Sequence, residues 1–249
     1  ADHIDLTAAK ELGLKVCNSN YAPNGVADYT VMLILLSLRK YKPALWRAQV
    51  NDYSLAGLQG RELRNLTVGI LGTGKIGAAV IKNLSGFGCR ILASDIRENP
   101  SLKGLCTYVD NETLYKECDI LSLHMPLLDS TRHFVNAETI ARMKDGVTII
   151  NCARGELMNI PDMIRGIETQ KIGALALDVF DKEDGIYHEN RRDDILSNRD
   201  MAYLRQFPNV IMTQHMAFYT DAAVQSMVFC GIEGLCDFAK TGHTETELV

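Results

Sequence analysis

Residues 66–77, Leu66-Thr67-Val68-Gly69-Ile70-Leu71-Gly72-Thr73-Gly74-Lys75-Ile76-Gly77, predict a buried strand that runs into a glycine turn and then into a helix. Gly72 permits the tight turn, Gly74 lets the backbone approach a pyrophosphate, and Gly77 lets the helix pack close to the strand. The first-turn amides of the helix then face the phosphates, where the helix dipole favours negative charge. Glycine-rich turns are common, but a strand before this one and a helix after it predict a dinucleotide site.

A second predicted strand, residues 89–94, ends at Asp95. A carboxylate at that place accepts hydrogen bonds from both ribose hydroxyls of the cofactor and repels a 2′-phosphate. Arg97 is close enough in sequence to weaken that repulsion, so NADP is disfavoured rather than excluded. We therefore expect NAD as the cofactor.

The rest of the chain alternates strands with helices, which predicts an α/β fold with a doubly wound, mostly parallel sheet of the Rossmann type. Strands are predicted at 66–71, 89–94, 119–123, 147–151, 173–178 and 209–213, and helices at 74–86, 111–117, 137–143, 160–169 and 220–240. Before the glycine turn, residues 6–12 predict a helix and residues 14–17 a strand. Residues 181–200 predict a long, charged, irregular loop.

One predicted helix, residues 25–39, is apolar nearly all round and needs a second surface to cover it. Burial within the domain and a dimer interface both satisfy that requirement, and the sequence leaves both open.

Composition restricts the partners. A net charge of −5 argues against a polyanion-binding surface and hence against nucleic acid as a partner. The seven cysteines show neither a CxxC pair nor metal-ligand spacing, which predicts reduced thiols in a cytoplasm and no metal. The longest apolar run, residues 31–36, is too short to span a bilayer, so no membrane is expected.

The polar residues that follow each strand are the candidates for chemistry, because ligands of an open parallel sheet bind beyond the carboxyl ends of its strands. Three of them, Arg154, Glu183 and His215, form a plausible unit for reducing a 2-keto acid. The planar guanidinium can clamp the substrate carboxylate, and the histidine can give a proton to the carbonyl oxygen as hydride arrives. A carboxylate against the far ring nitrogen orients the imidazole and keeps it protonated.

Each of these residues also has an ordinary structural explanation. Arg154 can form a structural ion pair, His215 can be a hydrogen-bonded core or loop residue, and Glu183 can be solvated. Cys152 has apolar neighbours that favour an inert, partly buried thiol over a nucleophile. His188-Glu189 lacks metal-ligand spacing.

Together these motifs resemble the D-isomer-specific 2-hydroxyacid dehydrogenase family over essentially the whole chain. Ala1-Asp2-His3-Ile4-Asp5-Leu6 is similar to the family's domain-joining segment, and Tyr21-Ala22-Pro23-Asn24 is similar to its hinge. Four further stretches resemble the family's signatures: 68–77, 151–155, 177–180 and 209–215. Residues 215–220 are most similar to the D-lactate, D-2-hydroxyisocaproate and vancomycin-resistance D-lactate-forming types. Gln214 stands where the family usually has proline.

The resemblance implies a substrate clamp at Arg154, a proton donor at His215 and its partner at Glu183. It implies cofactor contacts, besides the glycine turn at Gly72 and Gly74, from Lys75, Ile76, Asp95, Met125, Pro126, Thr131, Cys152, Ala153 and Asp178, and a substrate side lined by Tyr21 and Phe218. It also implies a homodimer formed through the dinucleotide-binding domain.

The family's second domain is discontinuous and flavodoxin-like, and the resemblance implies only remnants of it here. We expect residues 1–20 and 218–249 to form a partial substrate domain and residues 21–217 the dinucleotide-binding domain, with the family's N-terminal part missing. Three functions stay open on this basis. The chain is an NAD-dependent D-2-hydroxyacid dehydrogenase, a non-catalytic NAD sensor such as the corepressors of this fold, or a fragment that binds NAD without turnover.

Overall fold

The computed structural model describes residues 4–249 and has a seven-stranded, all-parallel sheet at the centre of residues 26–217. The strands are β1 (Thr67–Leu71), β2 (Arg90–Ser94), β3 (Thr107–Tyr108), β4 (Ile120–Leu123), β5 (Val147–Asn151), β6 (Ile172–Leu177) and β7 (Val210–Met212). Their order is β3-β2-β1-β4-β5-β6-β7, so the direction of strand addition reverses between β1 and β4. This confirms the predicted doubly wound sheet, whose ligand crevice lies at such a reversal.

The register brings the carboxyl ends of the strands level with one another. Leu71 of β1 pairs with Ser94 of β2 and with Leu123 of β4, and Leu123 in turn pairs with Asn151 of β5. Asn151 pairs with Leu177 of β6, which pairs with Met212 of β7. The residues that follow these strands therefore emerge along a single edge of the sheet.

Three helices precede the first strand, and the others lie between strands or after the last one. They are α1 (Leu6–Glu11), α2 (Asn24–Leu38), α3 (Tyr41–Gln49), α4 (Lys75–Ser85), α5 (Asn111–Glu117), α6 (Ala137–Arg142), α7 (Ile160–Glu168), α8 (Arg199–Leu204) and α9 (Asp221–Thr241). Side-chain N-caps explain where several begin, since Asp110, Asn136, Asn159 and Thr220 each accept a hydrogen bond from a first-turn amide. β1, β4 and β5 are buried along their whole length, which matches their apolar sequences.

The chain forms two compact units, one of residues Val26–Ala217 and the other of the chain up to Gly25 together with Phe218–Val249. In the second unit, the segment after α1 meets the C-terminus through hydrogen bonds between Val16 and residues 248–249 and an ion pair between Lys15 and Glu247. Gly234 of α9 lies so close to this segment that a Cβ there would be 2.8 Å from the Cys17 sulfur.

Two sequence predictions of local structure need correction. The strand predicted at residues 14–17 is an isolated antiparallel bridge between Cys17 and Glu247, because the C-terminal residues offer too short a partner for a ladder. The predicted irregular segment 181–200 ends in the start of α8 at Arg199. The sequence also failed to predict α3, whose Pro43 is tolerated because it lies in the first turn. Residues 1–3, the beginning of the stretch that resembles a domain-joining segment, lie outside the described residues.

Helices α2 and α9 bear on two sequence-based expectations: that the apolar helix at 25–39 is covered by a second surface, and that no membrane is involved. α2 is buried at seven positions, including Leu33 and Ile34, while Met32 stays 38% exposed. Within residues 4–249, α9 is the one helix long and apolar enough to cross a membrane. Core helices of soluble proteins meet the same criteria of length and composition.

Candidate active site

The glycine turn between β1 and α4 is fixed by close backbone contacts. Gly72 has a φ of +91°, and a Cβ there would lie 2.7 Å from the carbonyl oxygen of His124. A Cβ at Gly77 would lie 2.0 Å from the carbonyl oxygen of Gly72. Both positions therefore require glycine for the turn itself, whereas a Cβ at Gly74 would meet nothing within 4 Å.

The start of α4 is open to an anion. Gly74 is the N-cap residue and, unlike Asn136 or Thr220, has no side chain that could accept from the first-turn amides. Lys75 and Ile76 form the first turn, with Lys75 exposed. Uncapped amides, a positive helix end and free space above Gly74 fit a dinucleotide pyrophosphate.

The carboxylate that follows β2 is tied to the same turn. Asp95 Oδ2 accepts hydrogen bonds from the Thr73 amide at 2.5 Å and from the Thr73 hydroxyl at 3.1 Å, and Oδ1 accepts from the Arg97 amide. Burial raises the pKa of Asp95, but these hydrogen bonds and one from Ile96 outweigh it and hold the pKa below its usual range. The group is an anion at neutral pH, as a ribose-binding carboxylate must be.

Two residues that the sequence analysis missed complete this network. The Tyr108 hydroxyl donates to Thr73 Oγ1 at 2.9 Å and accepts from the Asn99 amide, while Asn99 Nδ2 donates to the Thr73 carbonyl oxygen. Tyr108 lies in the two-residue strand β3, which has no periodicity that would reveal it in the sequence.

The loop after β4 carries three of the predicted cofactor contacts and is held by one of them. Thr131 donates its hydroxyl to the Pro126 carbonyl oxygen at 2.7 Å and accepts from the Leu128 amide at 2.8 Å. Met125 lies next to Pro126 and packs against the hydrophobic core. The hydroxyl thus closes the loop and leaves its backbone beside the glycine turn.

His124, which begins this loop, lies under the glycine turn, since a Cβ at Gly77 would come within 3.3 Å of its Cβ. Its Nε2 is 2.8 Å from the Ser122 hydroxyl oxygen. Burial lowers the pKa of His124 to about 4. The ring is therefore neutral at physiological pH and is unsuited to donate a proton there.

The turn after β5 presents Arg154. Asn151, fully buried, accepts from the Ala153 amide at 2.9 Å and donates to the Arg154 carbonyl oxygen at 2.8 Å. Arg154 is exposed and also donates from Nη1 to the Ala153 carbonyl oxygen. Burial raises the pKa of Cys152 to about 12, so this thiol stays protonated, which argues against a nucleophile.

Asp178, which follows β6, is fully buried and organises the segment after β7. Its Oδ1 accepts from the Thr213 hydroxyl at 2.6 Å and the Met216 amide at 3.0 Å, and its Oδ2 accepts from the Ala217 amide at 2.8 Å. Sequence reasoning predicted Asp178 only as a cofactor contact, because its partners lie far along the chain.

Glu183 and His215 meet in the structure, although 181–200 is an irregular segment. His215 Nδ1 is 2.5 Å from Glu183 Oε1, and Glu183 Oε2 accepts from the Phe180 amide at 2.8 Å. The amide of His215 donates to the Asp178 carbonyl oxygen at 2.7 Å. Because Nδ1 faces a carboxylate, the other ring nitrogen, Nε2, is the one that can serve a substrate.

The two predicted substrate contacts belong to the other compact unit. Phe218 packs edge-on against Tyr219, with ring centroids 6.1 Å apart. Tyr21 is half-buried. In the described part of the chain, no group of three His, Cys, Asp or Glu residues is arranged to hold a metal ion.

Comparisons with known proteins give one consistent result. The family model "D-isomer specific 2-hydroxyacid dehydrogenase, NAD binding domain" matches residues 31–217. An aromatic 2-oxoacid reductase of Clostridium sporogenes is 44% identical over 100% of this chain and 76% of its own length. A D-lactate dehydrogenase of Curvularia clavata is 38% identical over 100% of this chain and 72% of its own. The NAD-complexed D-isomer-specific 2-hydroxyacid dehydrogenase of Lactobacillus delbrueckii ssp. bulgaricus superposes with a TM-score of 0.88 at 32% identity, covering 100% of this chain and 76% of that one.

Substitutions at Gly77 and Gly74 test two requirements of the glycine turn separately: close backbone packing at Gly77 and open space for the cofactor at Gly74. Gly77→Ala should lower the free energy of unfolding by about 3 kcal/mol, because its Cβ collides with backbone. Gly74→Ala should leave the thermal midpoint near that of the wild type but weaken NADH binding about tenfold, because its Cβ fills the space above the first-turn amides. Calorimetry and NADH fluorescence titration measure the two effects. Equal NADH affinity of Gly74→Ala and wild type would contradict the second.

A second prediction concerns acid stability. Between its ordinary pKa of 6.5 and its folded value of about 4, the unfolded chain binds a proton at His124 that the folded chain does not. Stability should therefore fall by about 3 kcal/mol as the pH drops through that interval. His124→Asn should flatten the dependence in urea unfolding at several pH values, and His133→Asn, on an exposed histidine, should leave it unchanged. A wild-type slope in His124→Asn would refute the assignment.

Proposed function

The chain belongs to the D-isomer-specific 2-hydroxyacid dehydrogenase family, and from that premise we propose that it reduces 2-oxo acids with His215 as proton donor, Glu183 as its partner and Arg154 as substrate clamp. It is an NAD-dependent oxidoreductase of small 2-hydroxy acids, as its relatives are. The contact of 2.5 Å between His215 Nδ1 and Glu183 Oε1 carries the assignment of roles.

Several residues would hold the dinucleotide. The first-turn amides of α4, over Gly74, would bind the pyrophosphate, and Asp95 would accept the ribose hydroxyls. The loop at Met125 and Pro126, closed by Thr131, and the turn at Cys152 and Ala153 would line the remainder of the site, with Asp178 at its floor. The chemistry that NADH would supply when held by these residues is the hydride for the substrate carbonyl carbon.

The chain supplies the proton. Glu183 accepts from His215 Nδ1, so the protonated ring presents its Nε2 hydrogen to the carbonyl oxygen that becomes the hydroxyl. Glu183 is in turn oriented by the Phe180 amide, and the turn after β7 is held by Asp178. Arg154 would hold the substrate carboxylate through its planar fork, so that the carbonyl carbon faces the cofactor.

The substrate is proposed to be a small 2-oxo acid with an apolar side chain. Tyr21 and Phe218 belong to the unit that we assign to the substrate domain, and both offer aromatic surface. The relatives are named for aromatic 2-oxo acids in one case and D-lactate in another. Comparing kcat/KM for phenylpyruvate and pyruvate decides which side chain fits better.

We further propose a homodimer formed through the surface that α3 exposes. A groove of about 540 Å³ lies between α2, α3 and β7 and is lined by Leu36, Trp46, Pro208 and Ile211, with the Trp46 side chain 63% exposed. Lys42 holds α3 in place by donating from Nζ to the carbonyl oxygens of Arg205, Phe207 and Val210. Exposed aromatic residues around a groove are typical of an association surface.

A reducing compartment such as the cytoplasm is proposed from the thiols. All seven cysteines are free, and Cys118 and Cys152 are buried. Buried free thiols are stable in a reducing environment.

The catalytic assignment predicts that His215→Gln lowers kcat/KM for phenylpyruvate by a factor of about 10² to 10⁴, because the proton donor is lost. Its NADH dissociation constant should match that of the wild type, since the ring lies outside the dinucleotide contacts. Stopped-flow NADH oxidation and fluorescence titration give the two numbers. Near-normal turnover of His215→Gln would contradict the assignment. NADH binding without oxidation by the wild type would fit the two non-catalytic alternatives, an NAD sensor and a fragment that binds NAD without turnover.

The dimer proposal predicts that Trp46→Glu raises the dissociation constant of the dimer about 30-fold or more, because a charge replaces a central aromatic side chain. Analytical ultracentrifugation over a dilution series measures it. Ile195→Glu, at a residue that is 97% exposed and outside the groove, is the matched control. A monomeric wild type at all concentrations would contradict the proposal.

A further inference from the structure

The loop that carries Glu183 reaches His215 at a second point. His188 Nε2 is 3.1 Å from the backbone carbonyl oxygen of His215, and the two ring centroids are 6.1 Å apart. A carbonyl oxygen only accepts hydrogen bonds, so His188 Nε2 must carry the hydrogen and donate it. This contact joins a side chain to the backbone of the proposed proton donor.

The backbone of His215 needs such support because its conformation is costly. Its φ is +52°, in the left-handed region that non-glycine residues rarely adopt. A residue persists there only where its surroundings hold it. The amide of His215 is held by the Asp178 carbonyl oxygen and its Nδ1 by Glu183, so the carbonyl oxygen is the third point of attachment, and His188 supplies it.

The loop is built to place the two side chains together. The amides of Ile186 and Tyr187 both donate to the Glu183 carbonyl oxygen at 3.0 Å, which closes the chain into a turn between Glu183 and His188. Arg191 donates from Nε and Nη2 to the Gly185 carbonyl oxygen and secures the tip of this turn. Glu183 therefore binds the ring of His215 while His188 binds its backbone.

We propose that His188 is a positioning residue for proton transfer. It holds the His215 backbone so that the imidazole stays oriented toward the substrate. The inference rests on the proposed function of His215. His188 acts through its contact with the carbonyl oxygen of His215, so its role is to position the proton donor. Its loss should therefore slow the step that uses the proton and leave dinucleotide affinity unchanged.

Three variants of the full-length protein test this. His188→Phe keeps a flat ring but removes the donor, whereas His188→Gln keeps an N–H at the same number of bonds from the backbone. His188 itself has a φ of +63°, so a bulky replacement can disturb the turn by strain alone. Gln170→Phe is the matched control, because Gln170 has a φ of +60° and lies exposed in the turn between α7 and β6.

Steady-state kinetics with phenylpyruvate and NADH should show kcat of His188→Phe lowered about tenfold, as expected for the loss of one hydrogen bond in an aligned site. The KM for NADH should not change. The solvent deuterium isotope effect on kcat should rise, because proton transfer becomes more rate-limiting. His188→Gln should recover most of the rate, and Gln170→Phe should behave as the wild type does.

Proton NMR adds a readout independent of turnover. The hydrogen bond between His215 Nδ1 and Glu183 Oε1 predicts a downfield Nδ1–H resonance in the wild type, because a carboxylate acceptor deshields the proton. That resonance should broaden or disappear in His188→Phe and persist in His188→Gln and Gln170→Phe. A His188→Phe variant with wild-type kcat, isotope effect and downfield resonance overturns the inference. A wild type that fails to oxidise NADH with any 2-oxo acid overturns the proposed function instead.

Discussion

The parallel ladder from β2 through β1, β4, β5 and β6 to β7 is the constraint on which the site depends. Its register brings the last residues of six strands level, so Gly72, Asp95, His124, Cys152 and Asp178 all leave the sheet at one edge. The backbone hydrogen bonds of a ladder cannot slip by one residue without turning buried side chains outward. The fixed register therefore places residues from distant parts of the sequence at the same edge of the sheet.

Beyond that edge, where the strands have ended, hydrogen bonds to buried polar groups fix the path of the chain. Asp178 is stabilised by hydrogen bonds from one hydroxyl and two amides of residues 213–217. Such an acceptor fixes the path of the chain, because leaving those amides unpaired or that carboxylate bare in the interior would be costly. The same segment carries His215 in a left-handed conformation, so the ladder, Asp178 and Glu183 together stabilise a backbone that is unfavourable by itself.

Two histidines follow strands at the same edge, and the groups that surround them differ. His124 is packed under the glycine turn beside a neutral hydroxyl, and burial lowers its pKa to about 4. His215 faces a carboxylate through Nδ1, which orients the ring and leaves Nε2 for a substrate. Position relative to a strand does not distinguish the two, whereas the charge of the nearest group does.

The sequence alone determined the features that depend on neighbours in the chain: the glycine spacing at 72–77, the alternation of strands and helices, the acid after β2 and the polar residues after the other strands. These follow from local sterics and periodicity, and the observed strands and most helices agree with them. Only the tertiary structure decided which of those residues meet. The contact of Glu183 with His215, the hold of His188 on the His215 carbonyl oxygen and the link from Tyr108 to Thr73 all join residues far apart in sequence. Hydrogen bonds of that kind have no periodicity in the sequence. The isolated bridge at Cys17 shows the converse, because residues 14–17 were predicted as a strand but pair with the C-terminal segment at one bridge only.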